Sequence, residues 1–244
     1  MALTARRSDQ PAVMGPALFT SLGACTLLKH LELDDVMIST EAMPQVGHLL
    51  HLPGLQSLTL TGHPAAVGKQ QARLVAALAP KLTSLAWYSF DSSVPQTVVL
   101  SSCAGLVSVE LGLVTGRAWL DALLQLPSLR DVRIAHIQGG SKPASQQPAA
   151  PAGAPAEAAA AQDTSAGAPV RCNWECLRVA SLQLRHVPLL PLAGLGELHL
   201  TSLRCEAAVG DDGDVLRAAV GSAASSLLPL AQQGKLHWRC EPGK

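Results

Sequence analysis

Residues 28–33 read LKHLEL, 55–60 LQSLTL, 82–87 LTSLAW, 106–111 LVSVEL, 129–134 LRDVRI, 179–184 VASLQL and 195–200 LGELHL. One pattern, Leu-x-x-Leu-x-Leu with apolar substitutes, therefore recurs at intervals of 27, 27, 24, 23, 50 and 16 residues. Self-similarity at such a period is the mark of a repeat architecture, in which each unit buries its apolar side only against its neighbours. Side chains of an extended chain alternate between two faces, so the fourth and sixth positions of each unit point the same way. These are Leu31/Leu33, Leu58/Leu60, Leu85/Trp87, Val109/Leu111, Val132/Ile134, Leu182/Leu184 and Leu198/Leu200, all apolar. Each contributes about 1.5–3 kcal/mol when fully buried.

Between the units the apolar period changes from two to that of a helix. Met43, Val46, Leu49 and Leu50 fall at helical spacing, as do Val67, Leu74, Val75 and Leu78, and Trp119, Leu120, Leu123 and Leu124. Strand alternating with helix predicts an α/β protein with a parallel sheet. Pro44 and Pro95 fall near the starts of return segments, and Pro53 and Pro127 lie just before the next strand, where a missing amide donor does least harm.

These residues resemble a leucine-rich repeat protein, from about Thr26 to Leu203. The resemblance implies a solenoid shaped as a short horseshoe, with a parallel sheet on its concave side, helices or loops outside, and a role in binding proteins. The ninth position of the family's unit is usually Asn or Cys, whose side chain bonds backbone between coils. Here it is Val36, His63, Phe90, Val114, Ile137, Val187 and Leu203, so the coils must be held by apolar packing instead.

The expected organisation is an N-terminal tail and cap over residues 1–25, five repeats over 26–138, a disordered insert over 139–170, two repeats over 171–205 and a C-terminal helical cap over 206–244. The insert is rich in Pro, Ala, Gly and Ser and offers no apolar face to bury. In the C-terminal cap, Asp214 is placed to cap a helix carrying Val215, Leu216, Ala219, Val220, Ala223, Ala224, Leu227 and Leu228 on one stripe, which Pro229 should end; a short strand follows at Leu236–Trp238. Pro16–Cys25 closes the other end, and the residues before it read as a frayed terminus.

Composition narrows the function. The 18 Lys plus Arg balance 18 Asp plus Glu, which argues against a partner recognised through its phosphates. Hydrophobic residues make up 48% of the chain but aromatics only 3%, which favours aliphatic packing over an aromatic-lined ligand cavity. The most apolar stretch, Val187–Leu195, is short and broken by Pro188 and Pro191, so no spanning helix is expected. Ser8, Asp9 and Gln10 follow Arg6 and Arg7 where a secretory signal would need an apolar run. Six scattered cysteines, Cys25, Cys103, Cys172, Cys176, Cys205 and Cys240, read as reduced thiols of a cytoplasmic protein.

Signatures of catalysis and cofactor binding fail on spacing. Gly62–Gln70, GHPAAVGKQ, resembles a phosphate loop but has five residues between its glycines and Gln70 after Lys69. Cys172-x-x-x-Cys176, with His186 or Cys205, is one residue too long for a zinc knuckle and has no second knuckle, so these thiols read as buried or idle. Asp211, Asp212 and Asp214 lack the alternation of a calcium loop, and His48 and His51 lie three apart without the intervening Glu of a helical zinc site. No enzyme, cofactor or metal is expected.

A binding surface should lie on positions three, five and seven of each unit, which face away from the core. From them Glu32, Asp34, Thr59, Tyr88, Glu110, Arg133, Gln183, Arg185 and His199 are taken as candidate contact residues. The early units are acidic, the middle ones small and hydroxyl-bearing around the single tyrosine, and the later ones carry Arg133 and Arg185 beside His136 and His186. Tyr and Arg are favoured at binding hot spots. The reading is a monomeric, non-catalytic scaffold that binds a protein on its concave face. A structural part of a cytoskeletal assembly such as the ciliary axoneme is the first alternative, and a ubiquitin-ligase substrate receptor without a recognisable F-box the second.

Overall fold

Alternating apolar and polar side chains suit a strand with one face buried and the other wet. The computed structural model of the chain describes residues 2–5, 12–62, 64–88, 96–115, 117–138, 172–204 and 213–238. In chain order its strands are β1 (Ala2–Ala5), β2 (Ala12–Met14), β3 (His30–Asp34), β4 (Val36–Ile38), β5 (Ser57–Thr61), β6 (Ser84–Trp87), β7 (Ser108–Thr115), β8 (Asp131–Gln138), β9 (Cys176–Gln183), β10 (Glu197–Arg204) and β11 (Leu236–Trp238). Nine of them form one open sheet in the order β1-β3-β5-β6-β7-β8-β9-β10-β11, while β2 pairs with β4. Every pairing is parallel.

Strand order follows chain order, so crossovers of the usual right hand all lie on one side of the sheet. The returns are α1 (Pro16–Gly23), a 3-10 helix over Thr40–Val46 that runs into α2 (Gly47–Leu50), α3 (Pro64–Leu78), α4 (Gln96–Ser101), α5 (Arg117–Leu124), a 3-10 helix over Leu184–Leu189 and α6 (Gly213–Gln232). Ser39 starts the first 3-10 helix by accepting a hydrogen bond from the Ala42 amide at its hydroxyl. Helical segments thus stand around Met43, Val67 and Trp119, as their spacing predicts.

The buried side chains form one continuous core. Positions four and six of each strand lie in it at 2% exposure or less, from Leu31 and Leu33 through to Leu198 and Leu200. Trp87 is the only aromatic among these, and its indole N–H would be orphaned without a partner. Buried Gln71 on α3 resolves this: its Oε1 accepts from Trp87 Nε1 at 3.1 Å and its Nε2 donates to the Thr61 carbonyl at 3.4 Å.

Three expectations change. The sixth strand is phased on Leu177 and Val179, not on Leu182 and Leu184, because β9 pairs Leu177 with Val132 and with Leu198. Leu182 is buried too, as the ninth-position residue in place of Val187, in register with Ile137 and Leu203. The chain start is not a frayed tail, since β1 adds a strand to the sheet alongside His30–Leu33. In the C-terminal helix, Asp214 lies within the first turn instead of before it, and Pro229 does not end the helix. The helix continues to Gln232 and ends at Gly234, whose φ of +69° permits paired closing bonds, Lys235 N–H to the Leu230 carbonyl and Gly234 N–H to the Ala231 carbonyl. Its inward stripe is Ala223, Leu227 and Leu230, leaving Val220 and Leu228 exposed. The insert over 139–170, His63, Phe90, Asp211, Asp212, Cys205 and Cys240 lie outside the described residues. Among the described residues no helix is long and apolar enough to cross a membrane.

Candidate functional site

Covering one face of the sheet leaves the other open, and the register fixes which side chains meet there. Position five builds one row across the strands: Glu32, Thr59, Ala86, Glu110, Arg133, Arg178, His199 and His237. Position three builds a second row: His30, Ser57, Ser84, Ser108, Asp131, Cys176 and Glu197. Neighbours in a row sit about 4.8 Å apart, the spacing of paired strands, so ions in adjacent rows and strands pair.

Over β3, β5 and β6 the open face is sparser in charge, with Glu32 and Asp34 set among hydroxyl-bearing and small side chains. His30 Nδ1 bonds the Ser57 hydroxyl at 2.8 Å, and the Thr61 hydroxyl donates to Asp34. From β7 onward the face is densely charged. Arg133 lies 3.8 Å from Glu110, Arg178 3.5 Å from Asp131, and His199 Nε2 3.1 Å from Glu197 Oε2. Beyond them His237 stacks on His199, with ring centroids 4.4 Å apart and an interplanar angle of 16°, and its Nε2 lies 3.9 Å from the same Glu197 oxygen. A cleft of about 600 Å³ runs over this end, from Glu110 across Arg133, Arg178 and His199 to Trp238.

The environment sets the protonation of three of these groups. Burial, and a hydrogen bond to Glu110, push the Tyr88 phenol far up, so Tyr88 is a neutral donor. The hydrogen bond from His199 holds the Glu197 carboxyl below its usual range, aided by His237. Burial pushes the Cys176 thiol up, partly opposed by Arg178. The site thus sets Arg133 and Arg178 among the carboxylates of Glu110, Asp131 and Glu197, with Tyr88 as a neutral donor at its side.

Of the nine candidate contact residues, Glu32, Thr59, Glu110, Arg133 and His199 share the position-five row, although Glu32 and Thr59 stand at its sparser end. Asp34 belongs to the next row, and Tyr88 reaches Glu110 from it. Gln183 and Arg185 are displaced. Gln183 ends β9, paired with Arg204, and Arg185 lies in the 3-10 helix over Leu184–Leu189. Arg178 takes the place in the row expected for Gln183, and buried His186 turns its Nδ1 to the Ile137 carbonyl at 3.3 Å.

Sequence reasoning missed Arg178, Cys176 and His237 as members of this face. A signal was present for the first two. The chosen phase left only 16 residues between the last two units, too few for a strand and its return, whereas Trp174 as first position gives 21. His237 had no such signal, because three residues of β11 cannot display a repeat. Cys172 and Cys176, read as buried or idle thiols, are both buried, at 2% and 7% exposure, and the Cys176 Sγ, a Glu197 carboxylate oxygen and a His199 ring nitrogen all lie within 4.8 Å of one another.

No family model matches the chain, and neither the curated proteins nor the solved structures compared with it contain a match.

Proposed function

We propose that the chain is a leucine-rich repeat solenoid and works as a non-catalytic scaffold that binds a protein partner on the open face of its sheet. The solenoid reading is supported by seven strands that follow one another in chain order, carry the same apolar positions and share one core. The observation that carries the binding reading is the charged row over β7–β11 with its cleft, because side chains there are held in place by ion pairs yet open to solvent. Such a surface selects partners through electrostatic complementarity. Interleaved Glu110, Arg133, Asp131 and Arg178 suit a partner segment that itself alternates charge, and exposed Trp238 adds an aromatic anchor at the rim.

Affinity capture from the source cell tests this, comparing the wild-type chain with Arg133→Glu/Arg178→Glu and with Glu32→Arg/Asp34→Arg. A protein captured by wild type, lost with the first variant and kept with the second supports the reading. Equal capture by all three forms, or none by any, removes the open face as the working surface.

A further inference from the structure

We propose that Cys176, Glu197 and His199 form a binding site for a zinc-class divalent transition metal, with His237 as the fourth donor. The three donor atoms, a sulfur, a carboxylate oxygen and an imidazole nitrogen, lie within 4.8 Å of one another. In a tetrahedral zinc site with bonds of about 2.0–2.3 Å, donors sit roughly 3.3–3.8 Å apart. Rotamer shifts of about an ångström therefore close the set around an ion. Thiolate with imidazole selects zinc-class ions over calcium or magnesium. His237 lies outside this mutually close set; its Nε2 is 3.9 Å from Glu197 and its ring is stacked on His199, so it joins by turning toward the ion.

The place of Cys176 in the sheet sets the cluster apart, and the local backbone fixes its register. The position-three row is serine at β5, β6 and β7, and Cys176, itself buried at 7% exposure, stands on this row, whereas Cys103 and Cys172 belong to the continuous core and Cys25 packs against it. The chain entering β10 also leaves no room for a side chain beside the chain entering β9. A Cβ on Gly196 would fall 2.3 Å from the Glu175 carbonyl, so only glycine fits there. Glu197 N–H donates to the Glu175 carbonyl at 2.8 Å, as the amides of Ser57, Ser84, Ser108 and Asp131 do to the preceding unit at the starts of their own strands, and this sets Glu197 opposite Cys176. A metal here would join β9, β10 and β11 at the cleft.

The full chain, stripped of metal and kept reduced, is titrated with Co²⁺ and then Zn²⁺. The expected result is a thiolate-to-cobalt charge-transfer band in the near ultraviolet that saturates at one equivalent and disappears as Zn²⁺ displaces the cobalt. Cys176→Ser should abolish the band, and His199→Ala should weaken binding more than about 100-fold, beyond the loss typical of removing an outer-shell partner. Cys205→Ser and Cys240→Ser should leave it intact. In the wild-type chain, which removes any question of variant folding, Zn²⁺ should slow alkylation of Cys176 by iodoacetamide without slowing that of Cys25. No band, a band that survives Cys176→Ser, a band that follows Cys205 or Cys240, or no protection of Cys176 would each overturn the site. Unchanged affinity in His237→Ala would overturn the fourth donor.

Discussion

The strands β3, β5 and β6 are four or five residues long, whereas β7, β8, β9 and β10 each have eight. The ninth position of the unit explains the longer set. Val114, Ile137 and Leu182 continue each strand past its first pairings, and Val114 pairs with Ile137, which pairs with Leu182, which pairs with Leu203. In the first unit the same position is Val36, which follows Asp35 at φ +52° and is drawn off into β4 to pair with Ala12. One region is therefore held by short strands and bulky returns such as α3, the other by long ladders with returns as slight as a six-residue 3-10 helix. The charged face stands on the long ladders.

The largest expected effects test whether both regions share one core. Leu58→Ala in β5 and Leu177→Ala in β9 should each lower stability by about 2–5 kcal/mol in urea unfolding, because both side chains are fully buried. Ala180→Ser, on the open face of β9, should stay within about 0.5 kcal/mol. A cost for Leu177→Ala near that of Ala180→Ser would break the register of β9 and with it the charged row.

Next in size are glycines that differ between the regions. Gly194, with φ +88°, holds the approach to β10, and a Cβ there would fall 2.5 Å from the Cys172 carbonyl. Gly194→Ala should cost about 2–3 kcal/mol. Gly47, at the start of α2 with open space around it, should gain up to about 1 kcal/mol as Ala. Thermal unfolding of the pair reads both signs.

Much of this was legible in the sequence, and what was not has physical reasons. Period-two apolar spacing marks a strand wherever it repeats, so six of the seven phases could be placed from Leu, Val, Ile and the single Trp87. The segment around residues 174–184 satisfies the pattern twice, because Leu177/Val179 and Leu182/Leu184 each supply apolar fourth and sixth positions and small Ala180 does not contradict either phase. Only pairing decides, and pairing is not local. The open face suffers most from such an error, since a five-residue shift exchanges Arg178 for Gln183. Strand β1 was hidden for another reason: ALTA is too short and weakly apolar to predict a strand, and becomes one through β3. Pro229 was overread because α6 loses one amide donor there yet goes on to Gln232, where Gly234 closes it.

A pH prediction sharpens the view that the core is continuous. Burial pushes the thiols of Cys103, after α4, and Cys172, before β9, up to about 11 from an ordinary value of 9.0. Between those values the unfolded chain has released protons that the folded chain retains, so stability is complete below pH 9 and falls as pH rises toward 11. The loss should be about 1–3 kcal/mol per thiol. Urea midpoints across this range, compared with Cys103→Ala and Cys172→Ala, should show each substitution removing its own share of the slope. A slope confined to one variant would divide the core in two.

The smallest expected effect is the one on which the reading of the open face depends. Arg178 and Asp131 are each 43% exposed, and their 3.5 Å contact is a surface ion pair, which contributes less than about 1 kcal/mol. Replacing Arg178 with Gln should therefore leave the urea midpoint almost unchanged at moderate salt, and so should replacing Glu32, at the sparser end of the same row. If the charged half is there to meet a partner, the two substitutions separate only when binding is measured, with Arg178→Gln losing capture and Glu32→Gln keeping it. Equal stability is what gives that contrast its meaning, because a lost partner then reflects the charge and not the fold. If Arg178→Gln instead costs several kcal/mol, the ion-pair rows serve as struts of the long strands, and the difference between the two halves is one of architecture.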